Sequence, residues 1–108
     1  MKESALRISV ASIAVICLLG AAGPARADYD LVVKKNCLAC HQVDKRKYGP
    51  NFKEIAARYA GQKNAADVLA KKIRRGGTGV WGPDVMPPQP QVSAAESRAL
   101  ATYVLSLK

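Results

Sequence analysis

The stretch "KKNCLACHQ", Lys34 to Gln42, puts two thiols and an imidazole within five consecutive residues, and His41 is the sole histidine of the chain. Three chemistries use such a cluster. A thioredoxin-like dithiol sits between a strand and a helix, and the chain has almost no strand-like run in which to place it. A structural zinc site takes four sulfur or nitrogen ligands. Cys37, Cys40 and His41 are one short.

The third chemistry uses every residue of the run. C-x-x-C-H is the attachment pattern of c-type haem: both thiols add across the porphyrin vinyl groups, and the adjacent histidine falls beneath the iron. A plain disulfide or redox pair is the remaining use for Cys37 and Cys40. Low-spin haems of this kind close the opposite iron face with a methionine thioether, which raises the potential. After the initiator the chain has a single methionine, Met86, in "GVWGPDVMPPQPQ". A lone Met is usually a core gap-filler. Here Pro87 and Pro88 follow it and five Gly and Pro residues precede it, a composition that excludes a helix interior and favours a ligand on a stiff loop. The run Gly76-Gly77-Thr78-Gly79 follows a helix instead of joining a strand to one, so nucleotide binding is discounted.

These residues need a scaffold, and only part of the chain supplies it. Lys2 and Arg7, the apolar run Ile8–Leu19 and the A-x-A form of Ala25-Arg26-Ala27 read as a secretory signal peptide over residues 1–27, cleaved after Ala27. The run is shorter than the roughly 20 residues of a membrane span. Cys17 leaves with it. The mature part, 28–108, is one small domain that needs a cofactor to complete its core. Cleavage takes the count from 17 basic and 8 acidic residues to 14 and 7, a formal +7 that favours acidic proteins or anionic surfaces.

Helical signals divide the mature chain. Asp28–Lys35 reads as a short helix with Leu31 and Val32 inward, ended by Asn36, which tolerates left-handed backbone. Asn51 and Glu54 form a capping box for a helix carrying Ile55 and Tyr59 and stopped by Gly61. Asn64 and Asp67 open the next, which buries Val68, Leu69 and Ile73 before Gly76. Ser93 and Glu96 open the last, where Leu100, Tyr103, Val104 and Leu107 follow i, i+3, i+4, i+7 spacing. The expected class is all-α, about four short helices around one haem. Lys45-Arg46-Lys47 reads as a solvated loop or a docking rim.

The order of C-L-A-C-H, Gly49-Pro50, "FKEIAARYAGQ", "KIRRGGTGVWG", Met86-Pro87-Pro88 and the terminal "YVLSLK" resembles the short bacterial class I cytochromes c of the c-551/c-552 type over essentially all of 28–108. That resemblance implies thioether bonds from Cys37 and Cys40 to one covalently attached haem c, with His41 and Met86 as axial iron ligands. It implies that the Pro50 carbonyl accepts from the other ring nitrogen of His41. Trp81 and Lys72 would contact the propionates, and Lys72 has a plain reading as an exposed helix lysine. Gln89 stands where the family often has Asn near the Met sulfur. The implied function is a periplasmic monohaem electron carrier, a monomer and not an enzyme, between a respiratory donor and a terminal reductase or oxidase, such as nitrite reductase or a haem-copper oxidase. Its redox partners would be acidic; export and few aromatic residues argue against nucleic acid.

Overall fold

The computed structural model describes the backbone of residues 24–108 and the side chains of 28–108. Most of the expected signal peptide lies outside the described residues. Four α-helices follow in order: α1 Pro24–Lys34, α2 Phe52–Tyr59, α3 Ala65–Arg75 and α4 Ala94–Leu105, with a single 3-10 turn at Cys37–Ala39. Among the described residues the only extended pairing is one antiparallel bridge, Gly77 with Met86. The architecture is all-α, as the sequence predicts. No helix among the described residues is long and apolar enough to cross a membrane.

Local signals explain most helix ends. Asn51 accepts the Glu54 N–H at 2.7 Å while the Asn51 N–H donates to Glu54 Oε2 at 2.9 Å, a complete capping box. Ser93 and Glu96 repeat it at 3.1 and 3.0 Å. Asn36 ends the first helix in left-handed backbone, φ 63°, and Gly61 follows α2 at φ 77°. Two expectations need correction. The first helix begins at Pro24 instead of Asp28, with proline at the position where a missing N–H costs nothing. Asn64 does not cap α3 with its side chain: its backbone sits at φ −108°, ψ 23° instead of the extended conformation of a cap. Its Oδ1 instead accepts from Gln62 Nε2.

Helix α4 is the spine, with α1, α2 and α3 all packed on it. Contact from several sides requires a wide apolar arc, and α4 accordingly buries Leu100, Ala101, Tyr103 and Val104. One cluster joins Val32, Phe52, Val92, Leu100, Tyr103 and Val104; a second joins Tyr59, Ala65, Leu69, Ala70 and Ala101. Ser97 is the one fully buried polar residue among those described, and its hydroxyl donates to the Ala94 carbonyl at 2.7 Å. Truncating Leu100 to Ala would cost about 2–5 kcal/mol at such a site. Ile55 and Ile73, expected to be inward, pack against both clusters and also line a cavity, and they are half-buried.

Candidate functional site

The cavity lies between the motif turn, α2, α3, α4 and the methionine loop. Its volume, counted as the space open to the centre of a water molecule, is about 170 Å³, against the roughly 10–15 Å³ that a single water needs. Its walls include Val32, Phe52, Ile55, Leu69, Ile73, Leu100 and Val104. All seven residues singled out in the sequence line it: Cys37, Cys40, His41, Pro50, Lys72, Trp81 and Met86.

The motif reaches the cavity through a tight turn. After Asn36 reverses the chain, the Cys40 and His41 N–H groups both donate to the Cys37 carbonyl, at 3.2 and 3.0 Å. This brings both thiols and the imidazole to one wall. The thiols are not joined to each other. Burial pushes the Cys37 thiol above its ordinary value, outweighing a hydrogen bond to its backbone. A redox dithiol requires the opposite shift.

Backbone bonds then fold loop 42–50 under the histidine. Gly49 N–H donates to the Cys40 carbonyl at 2.7 Å, and Phe52 and Lys53 donate to Gln42 and Val43. The buried Pro50 thus presents its carbonyl to His41 Nδ1 at 2.7 Å. A carbonyl only accepts, so in the neutral imidazole the proton resides on Nδ1 and the lone pair on Nε2. Phe52 stacks on the imidazole, centroids 5.4 Å apart and planes 25° from parallel. Gly49 leaves the ring no spare room: a Cβ there would stand 2.6 Å from His41 Cε1.

The methionine loop is fastened to its own start. Gly77 N–H donates to the Met86 carbonyl at 3.0 Å, and Met86 N–H donates back at 2.9 Å. Gln89 lines the cavity, but its amide donates to the Pro87 carbonyl at 2.9 Å and its own oxygen accepts from Gln91. At the mouth, Tyr48 and Val85 are 48% and 53% exposed.

Several contributors escaped sequence reasoning. Arg46 Nη2 donates to the Trp81 carbonyl, and Lys47 Nζ donates to the Leu38 carbonyl, both at 3.1 Å. Lys35 bonds the Gln91 carbonyl at 3.0 Å and Glu96 at 3.1 Å. Two of the three cations read as a solvated loop or docking rim, Arg46 and Lys47, therefore hold loops together, as does Lys35. Among the described residues no three His, Cys, Asp or Glu side chains converge to hold a bare metal ion. An apolar cavity with one free imidazole lone pair, one thioether-bearing loop and two adjacent thiols fits a covalently held haem.

Such a helical fold around a haem cavity defines a class I monohaem cytochrome. The Cytochrome c family model matches residues 29–108. Cytochrome c-552 of Nitrosomonas europaea is 53% identical over 87 residues, covering 81% of this chain and 84% of that protein. Cytochrome c-552 of Hydrogenobacter thermophilus is 45% identical, covering 87% and 95%. The crystal structure of wild-type Nitrosomonas europaea cytochrome c552 aligns with TM-score 0.73 at 51% identity, over 74% of this chain and 99% of that one. The chain belongs to the cytochrome c family, as a short class I member with one covalently bound haem c, and its general role is electron transfer.

Proposed function

We propose that the chain is a periplasmic, monomeric carrier that shuttles single electrons from a respiratory donor to a terminal reductase or oxidase, and that it is not an enzyme. When bound, the haem supplies a reversible one-electron couple at its iron. Every other task falls to the chain. Cys37 and Cys40 anchor the group through thioethers, and His41 offers Nε2 while Pro50 fixes its tautomer and raises its basicity. Met86 offers its thioether from the opposite loop. Trp81 would donate its indole N–H to a propionate, and Lys72, which also lines the cavity, would offer a second donor to that group. With His41 and Met86 both holding the metal, substrate would have no open route to it.

The observation that carries this reading is the 2.7 Å contact from His41 Nδ1 to the Pro50 carbonyl, which leaves the other ring nitrogen unused on a residue that lines the same cavity as Met86. Met86→Ala is the test. Cyanide or carbon monoxide should bind readily and the potential should fall substantially. An unchanged visible spectrum and potential would remove Met86 from the metal.

The signal-peptide features of residues 1–27, a basic start, an apolar run and the A-x-A form of Ala25-Arg26-Ala27, support the location. A small apolar mouth at Tyr48, Val85 and Pro87, with Lys45 beside it in sequence and a net positive chain, supports transient docking of acidic partners.

A further inference from the structure

Trp81 is gripped by two arginines from distant parts of the chain. Arg46, on the loop before α2, donates from Nη2 to the Trp81 carbonyl at 3.1 Å. Arg58, in the last turn of α2, places its guanidinium carbon 5.0 Å from the indole centroid. Trp81 lines the cavity and Arg58 does not, so the indole stands between that cation and the cavity.

Some restraint is needed there. Trp81 lies between Gly79 and Gly82, both at positive φ (90° and 114°), where the chain has the greatest conformational freedom. The two contacts are also complementary. Arg46 uses the carbonyl and Arg58 the electron-rich ring face. Neither occupies the indole N–H.

We infer that Arg46 and Arg58 are positioning residues for Trp81, the first fixing its backbone and the second its ring plane, so that the indole N–H is aimed into the cavity. This rests on the proposed donation from Trp81 to a haem propionate. A cation over the ring face also draws electron density from the indole, which strengthens the N–H as a donor to an anionic oxygen. Lys72 and Asp84 are the other charged residues lining the cavity, and neither makes a recorded contact with the indole.

The chain has one tryptophan, so the holoprotein gives a single indole signal. Hydrogen exchange of that N–H in the ferrous holoprotein, followed by NMR, reads its restraint, and near-UV circular dichroism reads its fixed orientation. Arg58→Gln should speed exchange roughly two- to fivefold, the range a partly exposed cation–π contact supports, and weaken the indole dichroism. Arg58→Lys should recover part of the loss, since it keeps a cation over the ring. Arg46→Gln should act in the same direction. Arg75→Gln removes an equal charge from the exposed end of α3 and should match wild type. If Arg58→Gln and Arg46→Gln are indistinguishable from Arg75→Gln in both readouts, the clamp does not exist. Trp81→Phe, followed by reduction potential, tests the propionate contact by itself, so the two readings can fail separately.

Discussion

Gly76 lies directly behind Met86: a Cβ on Gly76 would overlap the Met86 carbonyl oxygen and stand 2.8 Å from the Pro88 nitrogen. Its φ of 72° is also one that side chains rarely adopt. Gly76→Ala therefore combines backbone strain of about 1–3 kcal/mol with displacement of the methionine loop. Exogenous imidazole should bind the ferric holoprotein more readily, and thermal melting should fall. Gly77→Ala is the contrast, because nothing lies within 4 Å of its Cβ position and its φ is not positive. Equal ligand affinity in both variants would contradict the steric account.

On the opposite wall Gly49 plays the same part for His41. A Cβ would stand 2.6 Å from Cε1 and 2.9 Å from Nδ1, so Gly49→Ala should tilt the ring, stretch its bond to Pro50, or both. Overpacking of this kind costs about 1–3 kcal/mol. The expected outcome is a lower haem-to-protein ratio in expressed material and an altered ferrous spectrum. A normal ratio with a normal spectrum would show that the loop yields instead of the ring.

Glu96 gives the stability a defined acid limb. Its carboxyl is held below the ordinary glutamate value first by the Ser93 N–H, then by Lys35. A carboxyl depressed on folding stabilises fully above its unfolded value, and that contribution is lost as pH falls through the folded one. Denaturant midpoints of the holoprotein should drop as pH falls through and below the ordinary carboxylate range. Glu96→Gln should lower the midpoint at neutral pH and flatten that drop. A slope unchanged by the substitution would assign the acid limb to other carboxylates.

Steering of an acidic partner should be read with Lys45 as well as Lys47. Lys47 is bonded to the Leu38 carbonyl, so Lys47→Glu breaks a loop contact while reversing a charge. Lys45 has no ion pair or hydrogen bond among the described residues and isolates the electrostatic part. Both reversals should lower the association rate with an acidic acceptor and flatten its salt dependence, leaving the potential nearly unchanged. Stopped-flow oxidation across an ionic-strength series measures this; rates indifferent to salt would leave the apolar mouth as the sole determinant.

Local chemistry made much of this protein legible in its sequence. The boxes at Asn51 and Ser93 and the reversal at Asn36 depend on one residue and its near neighbours. Asn64 carried a similar signal and failed because the turn after Gly61 delivers it with the wrong backbone angles. The haem motif and the methionine loop could be read because two closely spaced cysteines, the sole histidine and the sole methionine after the initiator stand there. What stayed hidden were contacts to backbone carbonyls. Arg46 to Trp81, Lys47 to Leu38 and Lys35 to Gln91 all end on an acceptor that every residue possesses, so nothing in the sequence marks them. Gly49 and Gly76 were visible as turn or stop residues, while the ring and the carbonyl they make room for lie distant in sequence or across the bridge.

The paired backbone bonds between Gly77 and Met86 hold the methionine's main chain without help from its sulfur. On the proposed ligation, a thioether that lets go of the metal stays tethered beside it, and its return is intramolecular. An outside ligand then competes with a local thioether supply equivalent to about millimolar or more in free solution. Small molecules at lower concentrations would lose that contest unless their intrinsic affinity were much greater, so the bridge would help the site turn solutes away.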